Sequence, residues 1–345
     1  MMTPSGRRTF TTPLGRALAF TRLGFGGAPL GNMGRPLGEG ESEATVAAAW
    51  DAGVRYFDTA PLYGHGLSEM RIGRALKGRP RAEFLVSTKV GRLLEPCAPG
   101  DEGGGIYRGL PPLKVRFDYT ADGVRRSLDE SLARLGMNRV DILYVHDLEL
   151  PTHRTAAAYE ARWRELTGGG WQALADLRAA GAVAAIGLGV NATAACERVL
   201  AELDPDLFLL AGRYTLLEQA PLAGLLPACE RRGVGVVIGG PYNSGVLARA
   251  DGTFNYAAAP AEVLAKVARL RAVCERHATP LPAAALAFAA AHPAVVSIIP
   301  GGQTADEVAA NAALFAVDIP AALWDALKAE GLLDPAAPVP VTERA

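Results

Sequence analysis

Residues 54–76 read VRYFDTAPLYGHGLSEMRIGRAL. A short apolar run at 54–57 leads into Asp58 and then into the turn formers Thr59, Pro61, Gly64 and Gly66. Beyond them Leu67, Met70, Ile72 and Leu76 are the apolar positions of a helical pattern. The stretch therefore reads as strand, tight loop and helix. A carboxylate left unpaired beside a buried strand is costly, so Asp58 either holds a turn or meets a cation. Tyr63 either rests on a neighbour or faces a site. Within the stretch both alternatives stay open, and the rest of the chain must decide.

The same unit recurs along the sequence. Strands are predicted at 24–27, 54–58, 84–89, 140–146, 184–189, 207–211, 234–239 and 295–300, with helices near 42–52, 68–77, 121–135, 170–180, 193–203, 221–232, 261–277 and 304–315. Ala52-Gly53-Val54, Ala180-Gly181-Ala182 and Arg232-Gly233-Val234 each set a glycine where a helix should end. Such alternation predicts a parallel sheet. Eight units with no break in composition predict one domain over residues 1–345, a (β/α)₈ TIM barrel. The segment GRRTFTTPLGRALAF is expected to add an N-terminal β-hairpin turning at Pro13-Leu14-Gly15, and extra helices are expected at 281–291 and 320–330. Two long connections, an irregular one at 91–120 and another at 240–260, leave strands at the end where a barrel places its site. Both are expected to form a lid or a substrate pocket.

Composition narrows the function. Half of the 345 residues are apolar, enough for a large core, and the formal net charge of -1 provides no attraction for nucleic acid or an anionic membrane. The four cysteines form no CxxC and the five histidines no HExxH, which argues against a zinc site or a disulfide framework. Arg7-Arg8 lacks the apolar run of a twin-arginine signal, being followed by Thr9, Thr11, Thr12, Arg16 and Arg22. The apolar stretch 281–291 is too short to span a bilayer. A cytoplasmic protein acting on a small molecule is expected, and no oligomeric state follows from the pattern.

Polar residues close successive strands: Asp58, Lys89, His146 and Asn191, with Tyr63 one loop beyond Asp58. In a barrel these ends share one mouth. Lys89 would be desolvated unless an acid pairs with it, and Asp58 on the adjacent strand can do so. A free tyrosine, with a pKa near ~10, is a poor base at neutral pH, and a neighbouring ammonium is expected to lower that value. His146 can bond a substrate oxygen or relay a proton. The set suits general acid–base chemistry on a carbonyl/alcohol pair. It has no activated nucleophile and no metal, so the missing part is a hydride carrier. Plain alternatives stand beside each residue: His146 bonded to Asp147, Lys89 solvated in a loop, and Asn191 capping the next helix.

FDTAPLYGHG, VSTKVGR, ILYVHD, IGLGVN and IIPGGQTADEVAANAALF together resemble the aldo-keto reductase superfamily over nearly the whole chain. GFGGAPLG, by contrast, lacks the spacing of a Rossmann fingerprint. The resemblance implies a (β/α)₈ barrel holding an extended nicotinamide dinucleotide, with Asp58, Tyr63, Lys89 and His146 as its tetrad. It also implies that Asn191 holds the carboxamide, that Gly26 and Gly27 lie beside the nicotinamide, and that Pro241, Tyr242 and Ser244 wrap the pyrophosphate. Gly301, Gly302, Gln303, Glu307 and Asn311 match the adenosine end.

The chain departs from the family pattern where members preferring NADP carry basic residues. Gly301 and Glu307 stand there instead, and a carboxylate repels a 2′-phosphate but accepts a bond from a free ribose hydroxyl. NAD is therefore expected over NADP. Gly239 and Ala211 replace an aromatic and a glutamine near the nicotinamide. The stretches at 110–147 and 211–248 are similar to the NAD-linked sugar dehydrogenase branch. That implies oxidation of an aldose of the L-fucose, D-arabinose or L-galactose type at C1 to the lactone, with Tyr63 as acid/base and hydride passing to nicotinamide C4. The alternatives are a pyridoxal or broad aldehyde oxidoreductase, a nucleotide-sensing regulatory subunit, and an aldolase-type barrel using Lys89 as a Schiff-base amine.

Overall fold

The computed structural model describes residues 3–340. Strands β1 (Arg7–Thr11) and β2 (Ala17–Thr21) pair antiparallel as the expected hairpin, with Gly15 left-handed in the turn at φ 81°. Ten further strands follow among the described residues: β3 (Phe25–Gly26), β4 (Tyr56–Asp58), β5 (Leu85–Val90), β6 (Arg92–Pro96), β7 (Leu113–Phe117), β8 (Ile142–His146), β9 (Ala185–Val190), β10 (Leu207–Ala211), β11 (Gly235–Gly239) and β12 (Val295–Ile299). Eight of these form one sheet in the order β3-β4-β5-β8-β9-β10-β11-β12. The sheet closes where Gly24 N–H donates to the Ile298 carbonyl at 2.8 Å and Gly26 N–H to that of Pro300 at 3.1 Å. The parallel barrel agrees with its sequence prediction; β3, β4, β8, β11 and β12 run shorter than predicted, and β5 and β9 are shifted by one residue.

The helices are α1 (Glu39–Asp51), α2 (Leu67–Leu76), α3 (Ala121–Leu135), α4 (Leu150–His153), α5 (Ala156–Glu165), α6 (Trp171–Ala179), α7 (Thr193–Glu202), α8 (Leu225–Arg232), α9 (Ala261–Arg276), α10 (Leu281–Ala291), α11 (Ala305–Phe315) and α12 (Ala321–Ala329). Gly53, Gly181 and Gly233 take positive φ after α1, α6 and α8, as their spacing indicated. The sequence pattern misses α4 and α5. The reason is visible in α5, which buries only Trp163 and so carries no apolar stripe. The 91–120 connection is not irregular throughout, because β6 and β7 pair from Arg92↔Phe117 to Pro96↔Leu113. Asn191 does not cap α7 either. Ala192 takes that position, and the Asn191 backbone N–H donates instead to the Glu149 carboxylate at 2.8 Å.

Strand periodicity sorts the interior. Residues two apart share a face, so Tyr56 and Asp58 of β4, Ser87 and Lys89 of β5, and Tyr144 and His146 of β8 turn into the barrel. Phe57, Val86, Leu143 and Val145 face the helical shell. The barrel core is completed by Leu18 and Phe20 from the hairpin, which meet Tyr56, Ile142, Tyr144 and Leu207. Phe20 is fully buried, edge-on to Tyr56 at 4.9 Å between ring centroids. The hairpin thus plugs the closed end, opposite the mouth. Phe20→Ala should cost about 3–5 kcal/mol in urea unfolding; a loss under about 1 kcal/mol would contradict the plug.

Candidate active site

Asp58 ends β4 and lies opposite Ser87 in the parallel register, so Lys89, two residues on, reaches over it on the same face. Lys89 Nζ makes three hydrogen bonds: 2.7 Å to Asp58 Oδ2, 2.9 Å to the Thr59 carbonyl and 3.0 Å to the Tyr63 hydroxyl. Three bonds match the three N–H donors of an ammonium. Room for the lysine stem comes from Gly189 on β9, where an added Cβ would lie 3.3 Å from Lys89 Cε. Tyr63 reaches the mouth because its loop packs backbone to backbone on residue 31. Gly64, at φ 66°, permits this, since a Cβ there would meet the Gly31 carbonyl oxygen at 2.4 Å. His146 stands edge-on to Tyr63, 5.7 Å between ring centroids. Asp58, Tyr63, Lys89 and His146, the four residues of the expected tetrad, thus come together in one place.

Their electrostatics depart from expectation in one respect. Lys89 was expected to draw the Tyr63 phenol below its ordinary range. Burial instead pushes it well above 10, and the Asp58 carboxylate adds to that rise. The physical reason is that Lys89 already faces Asp58, so the pair as a whole presents little net positive charge to the phenol. Asp58 itself is raised by burial, opposed by Lys89 and by the Ser87 hydroxyl. His146 is held well below its usual value by burial first, then by Arg92 and Lys89, so its imidazole is neutral near pH 7.

A cleft of ≈ 660 Å³ opens from Tyr63 and Asp58 across the mouth to α11. Its size falls in the range of small-molecule sites. Among the residues expected to bind a cofactor, Gly26, Asp58, Asn191, Pro241, Tyr242 and Ser244 line it, as do Gly301, Gly302, Gln303, Glu307 and Asn311. Gly27 does not. It packs against the back of β4, its N–H donating to the Asp58 carbonyl at 2.8 Å, and a Cβ would lie 2.6 Å from that oxygen. Lys89 and His146 do not line it either; both touch Tyr63, which does. Tyr242 Oη donates to Asn311 Oδ1 at 2.9 Å, tying the 240–260 segment to α11. Glu307 accepts from the Gln303 backbone N–H at 2.7 Å.

Some residues at the site carried no decisive sequence signal. Ile106, Arg108, Asn255 and Tyr256 line the cleft, so both long connections contribute to it as expected. Arg92 Nη2 donates to Asp147 Oδ2 at 2.5 Å, and the same oxygen lies 3.5 Å from His146 Nε2. Their adjacency to the His146 and Lys89 motifs was the available clue. Arg249, whose Nη1 lies 3.8 Å from Glu307 Oε1, gave none, because it reaches Glu307 from a loop. Among the described residues, no cluster of three or more histidine, cysteine or acidic side chains is placed to hold a metal ion. No helix there is long and apolar enough to cross a membrane.

A sequence model of the aldo/keto reductase family matches residues 22–330. The chain is 43% identical over 335 residues to a pyridoxal 4-dehydrogenase of Microbacterium luteolum, covering 93% of this chain and 97% of that protein. It is 42% identical over 327 residues to a D-threo-aldose 1-dehydrogenase of a Pseudomonas species, covering 92% and 96%. In fold it is similar to the holo form of an aldo-keto reductase from Bacillus halodurans, with a TM-score of 0.73 at 23% identity over 99% of each chain. The chain belongs to the aldo/keto reductase family and is an oxidoreductase acting on alcohol or aldehyde groups.

Proposed function

We propose that the protein is an NAD-dependent dehydrogenase that oxidises an aldose at C1 to the lactone. The observation that carries this reading is the contact of Lys89 Nζ with both Asp58 and the Tyr63 hydroxyl. The cleft fits a dinucleotide because bare backbone lines it at Gly26, Gly239, Gly240 and Gly301. At Gly301 a Cβ would come within 2.6 Å of Pro29 Cγ and narrow the passage. In this reading Gly26 and Asn191 flank the nicotinamide, residues 241–244 the pyrophosphate, and residues 301–311 the adenosine. Bound there, the oxidised dinucleotide supplies the hydride acceptor.

Tyr63 exchanges the proton with the reacting oxygen. Its raised pKa keeps it a phenol in the resting protein, so it suits donation to a carbonyl as it stands. Oxidation needs the phenolate, which the Lys89 ammonium at 3.0 Å stabilises as it forms. Neutral His146 orients the sugar oxygen. The three contacts of Lys89 Nζ disfavour a free amine for Schiff-base chemistry. Pyridoxal is the second reading, favoured by the 43% identity to the Microbacterium luteolum enzyme. At the adenosine end, Glu307 disfavours a 2′-phosphate, although Arg249 offsets part of its charge.

Initial rates with NAD on L-fucose, D-arabinose, L-galactose and pyridoxal should favour an aldose; faster turnover of pyridoxal would select the second reading. Tyr63→Phe should lower turnover by roughly 10²–10⁴-fold with dinucleotide binding kept by fluorescence titration, and undiminished turnover would refute the assignment. The phenolate fraction grows as pH rises toward a pKa above 10. The kcat/KM for oxidation should therefore climb from neutrality toward pH 10, and a plateau already reached near neutrality would contradict it. Glu307→Arg should move cofactor preference toward NADP; an unmoved NAD/NADP ratio would remove the charge argument.

A further inference from the structure

Beneath the Asp58–Lys89 pair lies a column of hydroxyls that the acid–base reading does not use. Ser87 Oγ donates to Asp58 Oδ1 at 2.7 Å. The Tyr56 hydroxyl lies 3.0 Å from Ser87 Oγ, and the Tyr144 hydroxyl 3.5 Å from that of Tyr56. All three residues are fully buried. A serine hydroxyl has one proton, and here it goes to the carboxylate. Tyr56 must therefore donate to Ser87, and Tyr144 can donate in turn to Tyr56. The O–H bonds of Ser87 and Tyr56 therefore point up toward Asp58. The two carboxylate oxygens consequently divide their partners: Oδ2 takes Lys89 and Oδ1 takes Ser87.

We propose that Ser87, oriented by the Tyr56 hydroxyl, is a positioning residue that holds the Asp58 carboxylate charged and turned toward Lys89. The strand register supports this, since Asp58 sits opposite Ser87 and Ser87 shares its face with Lys89. Asp58 needs such support because burial favours its neutral form, which Lys89 and Ser87 oppose. The charged or titratable groups facing it are Lys89 from β5, Tyr63 from the loop above, Tyr56 on its own strand and Tyr144 from β8. His146 stands edge-on to Tyr63, 5.7 Å between ring centroids, and β3 presents only Gly26. Without the Ser87 bond only Lys89 would hold the carboxylate ionised. Asp58 would then take up a proton at higher pH, and Lys89 would lose its anchor.

This inference rests on the acid–base reading of Tyr63, so Tyr63→Phe is its control. The kcat/KM pH profile is measured for Ser87→Ala, Ser87→Thr and Tyr56→Phe with the best substrate of the panel. Below the rise that Tyr63 gives, protonation of Asp58 adds a steeper acid limb, and Ser87→Ala should move that limb up by about one to two pH units, with the dissociation constant of the dinucleotide unchanged. Ser87→Thr, which keeps the hydroxyl, should restore the limb, and Tyr56→Phe should move it the same way by less. An unshifted limb in Ser87→Ala overturns the proposal even if the melting temperature falls, because a packing role alone would move only stability. Should Ser87→Ala not fold, an unshifted limb in Tyr56→Phe overturns it. If Tyr63→Phe keeps wild-type turnover, the acid–base reading itself fails. If Tyr63→Phe is inactive while the Ser87→Ala limb stays in place, only the role of Ser87 falls.

Discussion

Asp58 and Lys89 meet at 2.7 Å with side chains only 2% and 1% exposed, and the active end of the barrel is arranged around that contact. Such a pair is a poor way to stabilise a fold, because removing both charges from water offsets most of their attraction. Its retention inside a barrel otherwise lined by Phe20, Ile142, Leu207 and Val237 calls for another reason. The geometry supplies one. Parallel pairing of β4 with β5 sets the two side chains on one face, and Gly189 leaves room for the lysine stem. The pair then presents an N–H donor to a phenol that the Gly31–Gly64 contact holds over the mouth.

The same burial that makes the pair strong works against the phenol as a base. Desolvation raises the phenol, and the Asp58 carboxylate that Lys89 faces adds to the rise. Under the proposed function the resting site is therefore set to give a proton and takes one only as the pH rises. His146 shows the parallel effect in a cationic acid, where burial, Arg92 and Lys89 all favour the neutral ring. Tyr63 and His146 thus both rest uncharged, which suits an uncharged polyhydroxyl substrate under the proposed function.

The barrel was legible because its signals are local and repeated: strand runs of period two, helices closed by Gly53, Gly181 and Gly233, and turn formers between them. The helix α5 was not, since Trp163 is its one buried side chain and no apolar stripe marks it. The β6–β7 hairpin escaped because its short strands lie within a long stretch rich in glycine and proline. At the candidate site, proximity followed from the places of Asp58, Lys89 and His146 at strand ends and of Tyr63 one loop beyond. Contacts across the fold did not follow. Arg249 reaches Glu307 from a loop, and Glu149 takes the Asn191 N–H, because neither partner shares a local pattern with the other. The direction of the Tyr63 shift also lay beyond reach, since desolvation depends on surroundings that spacing does not specify.

The claim that Asp58 and Lys89 act as one unit on Tyr63 is tested most directly by a double-mutant cycle on kcat/KM with Asp58→Asn, Lys89→Met and the combined variant. Residues that act together lose their effect once, so the double variant should be no slower than the slower single variant. Losses that multiply, each change acting at full strength in the absence of the other, would contradict the account.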